Sequence, residues 1–212
     1  MADAPARRNE PYDRLMSTVA AGRCDPFDAH VFASILSIAT EEAARNGHSP
    51  LEGTGLDSEA MTELVADQFP GAMDVVPCCD GAEEIPVNPD EMGLRELLRR
   101  NTTDGTQVEE WLAILVARRA QRPNHLWQDL GLRDRGELSR LMTRHFAPLA
   151  ECNTRDMKWK KFLYRLLCRD EGFSLCTAPC CSECTDIDAC FGDEQGKSLL
   201  SAHHGTRESN TP

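Results

Sequence analysis

The stretch NTRDMKWKKFLYRLLCRDEG, residues 153–172, separates most cleanly into the two faces of a helix. At about 100° per residue its large apolar side chains fall on one side, which predicts a face packed against a core. These side chains are Trp159, Phe162, Leu163, Leu166 and Leu167. We therefore predict a helix that begins near Asn153 or Thr154 and ends at about Arg169, with Cys168 nearly opposite the apolar side.

A second stripe of the same segment is basic and recurs at i, i+3, i+7 and i+11. Its members are Lys158, Lys161, Arg165 and Arg169. One interpretation is an ordinary solvated face. The other is a cationic strip that attracts an oxyanion or docks an acidic partner, because it stands on an otherwise acidic chain. The sequence leaves both interpretations open.

Four further segments of the sequence are predicted to form helices. Asp25-Pro26 has the form of an N-cap followed by proline at the first helical position, and Gly47 is a suitable stop. Further helices are predicted after Asp57 or Ser58 up to Pro70-Gly71, from Thr106 to Arg119, and from a capping box at Asp134 and Glu137. Residues 74–90 contain three prolines and no sustained period, which predicts a long loop.

Alternating, strand-type patterns are nearly absent, so the predicted fold is all-α: a single helical domain with a C-terminal cysteine-rich loop. We place a flexible N-terminus at 1–10, the helical domain at 11–195 with its loop at 176–190, and a disordered tail at 196–212.

The charge and hydropathy of the chain exclude some function classes. The net charge of −12 and a pI near 4.9 argue against general nucleic-acid binding, which needs a basic surface. No run approaches the ~18 apolar residues of a membrane span. The first residues carry two arginines without a following apolar stretch, unlike a secretory signal. We therefore expect a cytoplasmic protein without a membrane partner, whose clustered thiols are metal ligands rather than disulfides.

The cysteines are concentrated near the C-terminus. Of the ten in the chain, five fall in CTAPCCSECTDIDAC, residues 176–190. Thiolates favour iron–sulfur clusters, zinc and copper(I). The spacing of Cys176, Cys181 and Cys184 equals that of the first three ligands in plant-type ferredoxins, whereas Cys190 follows much sooner than the fourth ligand does there. The pattern predicts a metal–sulfur cluster on a loop, but not a ferredoxin fold.

Alternatives remain open at this site. Structural zinc usually joins two paired-ligand knuckles, and only one C-x2-C occurs here, unless Cys78-Cys79 or a histidine completes a distant site. Cys180 could replace Cys181 by a shift of register, and Cys168 could assist. His145 is either a nitrogen ligand to the metal or, because it shares a face with Leu138 and Met142, a core histidine.

Three motifs together resemble the NifQ family: NHLWQDLGLRDRGELSRLMTRHF (124–146), NTRDMKWKKFLYRLLC (153–168) and the C-x4-C-x2-C-x5-C loop that ends in Cys190-Phe191-Gly192. The resemblance implies a role in making the iron–molybdenum cofactor of nitrogenase. It implies a molybdenum-containing iron–sulfur cluster whose ligands, by position, are Cys176, Cys181, Cys184 and Cys190.

The same resemblance implies a carrier that donates molybdenum rather than an enzyme. Its implied partners are the nitrogenase cofactor-assembly scaffold and the nitrogenase iron protein, with molybdate as the metal source. No nucleophile–base order, phosphate-cradling glycine loop or paired-carboxylate site stands out in the sequence, which agrees with that expectation.

Overall fold

A computed structural model describes residues 10–19, 24–76, 85–170 and 187–200. All regular structure in these residues is helical, which confirms the all-α prediction for them. The helices are α1 (Glu10–Ser17), α2 (Pro26–Asn46), α3 (Pro50–Thr54), α4 (Ser58–Gln68), α5 (Pro89–Arg99), α6 (Gln107–Ala120), α7 (Leu126–Asp129), α8 (Arg135–His145), α9 (Ala147–Cys152), α10 (Trp159–Asp170) and α11 (Ile187–Phe191).

The predicted helix starts are confirmed by their caps. The Asp25 carboxylate accepts the main-chain N–H of Phe27 at 2.8 Å, and Gly47 ends α2 with φ 70°. Asp57 and Asp134 cap α4 and α8 in the same way. Thr106 and Glu109 form a reciprocal capping box at α6, so two main-chain donors at this helix end are satisfied.

The predicted start of the helix that carries the basic stripe is wrong. That helix, α10, begins at Trp159, because the Asn153 side chain both accepts the N–H of Met157 and donates to its carbonyl, each at 2.9 Å. Asp156 lies between them with φ 52°, a left-handed conformation that no helix continues. The local turn thus competes with the helix, as asparagine side chains commonly do.

Six helices were not predicted from the sequence: α1, α3, α5, α7, α9 and α11. All but α5 have eight residues or fewer, and such segments are too short for a clear period. α5 begins at Pro89, inside the end of the predicted loop 74–90. The described parts of that loop, 74–76 and 85–88, are not helical, and 77–84 lie outside the described residues.

The core is centred on α2, which is buried on nearly all sides over its first four turns. Trp111 of α6 meets Phe32 of α2 edge to face, with ring centroids 6.3 Å apart. The apolar face predicted for α10 is confirmed, since Trp159, Phe162, Leu163 and Leu167 are buried and Leu166 is partly buried. α10 packs on α5 where Leu167 fills the space left by Gly93.

One buried cation joins four elements of the core. Arg119 of α6 is 0% exposed and forms a two-point ion pair with Glu42 of α2, at 2.8 and 3.0 Å. Its guanidinium also donates to the carbonyls of Asp129 and Gly53. The full set of acceptors makes burial of this charge tolerable, because an unpaired buried charge is strongly destabilising.

The C-terminal segment is part of this packing at least as far as residue 200. Ser198, in the region predicted as a disordered tail from 196, is 5% exposed and donates to the carbonyl of Gly131 at 3.1 Å. Gly131 has φ 75°, and a Cβ there would lie 3.1 Å from the carbonyl oxygen of Ser34. The predicted tail and the predicted flexible N-terminus otherwise fall at 201–212 and 1–9, outside the described residues.

Candidate metal centre

Of the four cysteines predicted as cluster ligands, the structure describes Cys190. It lies on α11, is partly buried, and its thiol is free. Cys176, Cys181 and Cys184 lie outside the described residues, as do Cys180 and the pair Cys78-Cys79. The predicted loop 176–190 therefore ends in a short helix, Ile187–Phe191, and its earlier part is not described. Among residues 10–19, 24–76, 85–170 and 187–200, no three His, Cys, Asp or Glu side chains are arranged to hold a metal ion.

Cys190 is anchored to the beginning of α10 by its backbone. Its carbonyl accepts the main-chain N–H of Lys158 at 2.8 Å. The Lys158 ammonium donates to the carbonyl of Asp188 at 2.9 Å, so the same lysine holds α11 twice. This arrangement fixes the end of the cysteine segment against the helical body.

The connection from α10 to α11 begins at one end of α10 and ends near the other. Residues 171–186 follow Asp170 at the C-terminal end of α10, and Cys190 lies at its N-terminal end. Twelve helical residues span about 18 Å at 1.5 Å per residue. The sixteen residues 171–186, which connect these two points, lie outside the described part of the chain.

The predicted basic stripe is divided between two cavities. Lys158 and Lys161 line a cavity of about 430 Å³ together with Lys160, His125, Ala189 and Glu194, and we call it the lysine cleft. Arg165 and Arg169 line a second cavity of about 410 Å³, which we call the arginine groove. The stripe thus borders two cavities, but Lys161, Arg165 and Arg169 are exposed, so both interpretations of the stripe stay open.

The lysine cleft lies at the N-terminal end of α10, where cations are electrostatically disfavoured. A helix N-terminus carries partial positive charge, and its first turn usually holds acidic residues. α10 has no acidic residue there, whereas α2, α4, α5, α6 and α8 each have at least one. Lys160 is compensated: its ammonium meets the Asp129 carboxylate at 2.5 Å and the carbonyls of Arg122 and Asn124. Burial nevertheless lowers the pKa of Lys160, against the opposing effect of Asp129.

Glu194 supplies a buried carboxylate to the same cleft. Its side chain is 4% exposed, with Oε1 3.5 Å from His125 Nδ1 and Oε2 3.5 Å from Arg135 Nη1. Within the described part of the chain, Oε2 has no hydrogen-bond partner. The charge of this buried oxygen is offset by the Arg135 guanidinium rather than by a hydrogen bond.

The arginine groove has a different character. Its described lining includes Arg155, Arg165 and Arg169 over apolar side chains, and no aspartate or glutamate. The Arg155 guanidinium stacks over the ring of Phe191, 4.8 Å from its centroid. Phe191 follows Cys190 directly, so this groove adjoins the end of the cysteine segment.

The side chains considered as auxiliary ligands have other roles or stay untested. His145 is 6% exposed, with Nε2 2.9 Å from Asp28 Oδ1 and Nδ1 3.8 Å from Glu109 Oε1, which agrees with the core interpretation. Cys168 is half-buried with a free thiol, and Cys152 is exposed in the arginine groove. Burial raises the pKa of the Cys24 thiol, which disfavours the thiolate needed for metal binding.

Sequence reasoning did not find the contact of His125, Glu194 and Arg135. These residues come from the start of α7, the segment after α11 and the start of α8, so no spacing relates them. One signal was available in the composition. Lysine occurs only at positions 158, 160, 161 and 197, and the first three are nearly adjacent.

Comparison with known proteins extends these observations to a family. The NifQ family model matches residues 31–192, which include most of α2, all of α3 to α11 and the four predicted ligand cysteines. No solved structure matches the chain. In the described residues, no helix is both long and apolar enough to cross a membrane.

Curated relatives support the same assignment. The Protein NifQ homolog of Sinorhizobium fredii is 42% identical over 172 residues, 81% of this chain and 75% of that protein. Protein NifQ of Rhodobacter capsulatus is 43% identical over 50% of this chain and 59% of its own length. Protein NifQ of Azotobacter vinelandii is 34% identical over 66% of this chain and 77% of its own length. The chain belongs to the NifQ family, which is involved in the biosynthesis of the iron–molybdenum cofactor of nitrogenase.

Proposed function

We propose that this protein carries a molybdenum–iron–sulfur cluster as cargo and donates its molybdenum to the iron–molybdenum cofactor. Four cysteines hold the cargo: Cys176, Cys181, Cys184 and Cys190. The recipient is the nitrogenase cofactor-assembly scaffold, the nitrogenase iron protein takes part in the transfer, and the metal enters as molybdate. The protein acts as a carrier and not as an enzyme.

The observation that carries this proposal is the attachment of Cys190 to α10. Its thiol is free and partly buried, as a thiolate ligand requires, while its carbonyl is fixed by the Lys158 N–H. The other three cysteines lie on a connection that leaves and rejoins the same helix. A carrier has to protect its metal and then release it, and a ligand segment held at two points of a rigid body can open without unfolding that body.

The cationic surroundings support an anionic cargo. Thiolate-ligated metal–sulfur clusters carry net negative charge, and charged groups nearby adjust their stability. The two neighbours of Cys190, Ala189 and Phe191, line the lysine cleft and the arginine groove respectively, and each cavity is lined by three basic side chains. On a chain of net charge −12, this concentration of cations favours binding of an anionic group at the cysteine segment.

The test is metal analysis after anaerobic purification from cells grown with molybdate. We expect iron, molybdenum and sulfide in the wild-type protein, and loss of all three in Cys190→Ser and Cys181→Ala. Cys24→Ser is the matched control, because Cys24 contacts the Gln68 carbonyl in the body and should not change metal content. A colourless protein containing zinc would contradict the proposal and favour a zinc-stabilised interaction module.

Delivery needs its own measurement. We expect the loaded protein to supply molybdenum to a purified cofactor-assembly scaffold in the presence of the nitrogenase iron protein, and the Cys181→Ala variant to supply none. Iron without molybdenum, together with reversible reduction of the cluster, would instead favour an electron-transfer protein.

A further inference from the structure

The arginine groove concentrates cations that the described part of the chain does not neutralise. Most arginines elsewhere in the described ranges pair with carboxylates, as Arg99 does with Glu110. Arg155 and Arg169 are both exposed, and neither forms an ion pair with a described carboxylate. The groove lining as described contains no aspartate or glutamate. On a chain of net charge −12, this patch attracts negative charge that the rest of the surface repels.

The floor of the groove is apolar. It includes Met157 and Phe162, which are buried, and Leu166 and Phe191, which are partly buried. The Arg155 guanidinium stacks on the Phe191 ring, 4.8 Å from its centroid. Stacking restrains a guanidinium while the N–H groups at its edge still point outward to a carboxylate. Arginine over an aromatic floor is the composition of the energetically dominant residues of protein interfaces.

This combination of charge and apolar surface distinguishes between possible occupants. A small inorganic anion needs hydrogen-bond donors and gains nothing from an apolar floor. A nucleic acid would bring its phosphates against a chain of net charge −12. A peptide segment with acidic side chains and one apolar side chain uses both parts of the groove, and a cavity of about 410 Å³ accommodates such an anchor. The lining therefore favours an acidic segment of another protein.

We propose that the arginine groove is the surface on which the protein that receives the molybdenum docks, through an acidic segment with an apolar anchor. This inference rests on the proposed function, which names the cofactor-assembly scaffold as the recipient. Phe191 lines the groove and follows Cys190 directly, so a protein docked there lies beside the end of the cysteine segment. Transfer of a metal requires the donor and acceptor ligands to approach closely, and docking at this position provides that proximity.

The exposure of the arginines determines how they contribute to binding. Charges at the solvent-exposed rim of an interface mainly raise the association rate, and salt screens their effect. The apolar floor instead contributes to the lifetime of the complex, because dissociation returns that surface to water. The two parts of the groove therefore predict different kinetic effects of substitution.

The first experiment measures binding of the full-length, metal-free protein to the purified scaffold by biolayer interferometry at low salt. The double variant Arg155→Gln with Arg169→Gln should weaken affinity by about tenfold, mainly through slower association, and should bind with less dependence on salt. Arg14→Gln with Arg100→Gln is the matched control. It removes the same charge from arginines that are 50% and 56% exposed and lie outside the groove lining, and should change affinity less than about twofold.

Other occupants of the groove would give other results in the same experiment. If residues of this chain cover the groove, the Arg155→Gln and Arg169→Gln variant binds the scaffold as well as the wild type does, which overturns the proposal. Loss of self-association in that variant, with scaffold affinity unchanged, assigns the groove to a second copy of the chain and also overturns it. So does a loss of affinity for the nitrogenase iron protein alone.

The second experiment tests the apolar floor. Leu166→Gln keeps the three arginines and should raise the dissociation rate from the scaffold by about fivefold, with the association rate and its salt dependence unchanged. Thermal unfolding of the variant checks that it is folded under the conditions of the assay. An unchanged dissociation rate in the folded variant contradicts an apolar anchor in the groove.

The third experiment separates docking from release of the metal. With cargo-loaded protein, the Arg155→Gln and Arg169→Gln variant should need about tenfold more scaffold for half-maximal molybdenum transfer and should reach the wild-type rate at saturation. A lower maximal rate with unchanged half-saturation places the two arginines in cluster release, and the docking proposal fails.

Failure of this inference is distinguishable from failure of the proposed function. A protein that is purified with iron and molybdenum and delivers them, but whose groove variants bind the scaffold normally, remains a carrier that docks elsewhere. A protein whose groove binds the scaffold, but which never contains molybdenum, has the docking surface without the carrier role.

Discussion

Charged side chains have different surroundings in the helical body and on the face formed by α10 and α11. In the body, Arg119 is fully buried and each of its three side-chain nitrogen atoms donates to an acceptor. On the face, Lys161 makes no hydrogen bond or ion pair with a described residue, and Glu194 Oε2 has the Arg135 guanidinium at 3.5 Å but no hydrogen bond within the described ranges. A cation with a full set of acceptors stabilises a single structure, whereas an exposed cation such as Lys161 is available to a ligand.

This difference predicts a division of effects between the two regions. Substitutions in the body should change the free energy of unfolding and leave metal binding per folded molecule unaltered. Substitutions on the face should change ligand binding with little loss of stability. Four variants test that division.

Arg119→Met should have the largest effect on stability. Methionine fits the apolar surroundings but leaves the carbonyls of Asp129 and Gly53 without this donor, and the Glu42 carboxylate with Arg122 alone. Breaking one side of a buried ion pair costs about 3–5 kcal/mol. Urea unfolding should show this loss, while metal content per folded molecule stays at the wild-type value. Arg133→Met, whose side chain is 72% exposed, is the control and should cost less than about 0.5 kcal/mol.

Glu42→Gln tests the same hydrogen-bonded network through the pH dependence of the free energy of unfolding. Although burial alone raises the pKa of Glu42, its hydrogen bonds and ion pair with Arg119 lower the pKa overall. The carboxylate therefore contributes stability above its ordinary pKa of 4.5, and that contribution disappears as the pH falls through the lower folded-state pKa. We expect a loss of about 2 kcal/mol at pH 7 and a shrinking difference from wild type below pH 4, measured by urea unfolding. A difference independent of pH would contradict the assignment.

Arg135→Ala tests the connection between the two regions. Arg135 belongs to α8 but donates to the carbonyls of Asp156 and Met157 and approaches Glu194, so it holds the turn before α10 and the segment after α11. We expect a stability loss of about 1 kcal/mol. Amide exchange should accelerate for Lys158, whose N–H is bonded to Cys190, while amides of α2 and α6 keep their protection relative to global unfolding. Uniform acceleration would show that the face does not move independently of the body.

Lys161→Gln should have the smallest effect, and with the opposite sign. Removing a cation from the first turn of α10 relieves repulsion from the helix dipole and should stabilise the metal-free protein by about 0.3–1 kcal/mol at low salt. Urea unfolding at low and high salt should show this gain, which falls as salt screens the helix dipole. Destabilisation by this substitution would show that Lys161 has a structural role.

Much of the body could be predicted from the sequence because its signals are local. Asp25, Asp57, Thr106 and Asp134 cap helices through hydrogen bonds that span two or three residues, so a short window contains the whole interaction. The start of α10 could not be predicted, because an Asn153 turn and Arg135, 21 residues from Asp156 in sequence, together displace it.

The candidate site likewise has features that the sequence predicts and features that only the fold explains. The sequence by itself determined the helical class, the apolar side of α10 and the four-cysteine pattern, because periodicity and ligand spacing are properties of adjacent residues. Only the tertiary structure decided that the basic stripe serves two cavities, that Cys190 is fixed to the start of α10, and that Glu194 meets His125 and Arg135. Those contacts join residues 32 to 69 positions apart, and packing alone brings such residues together.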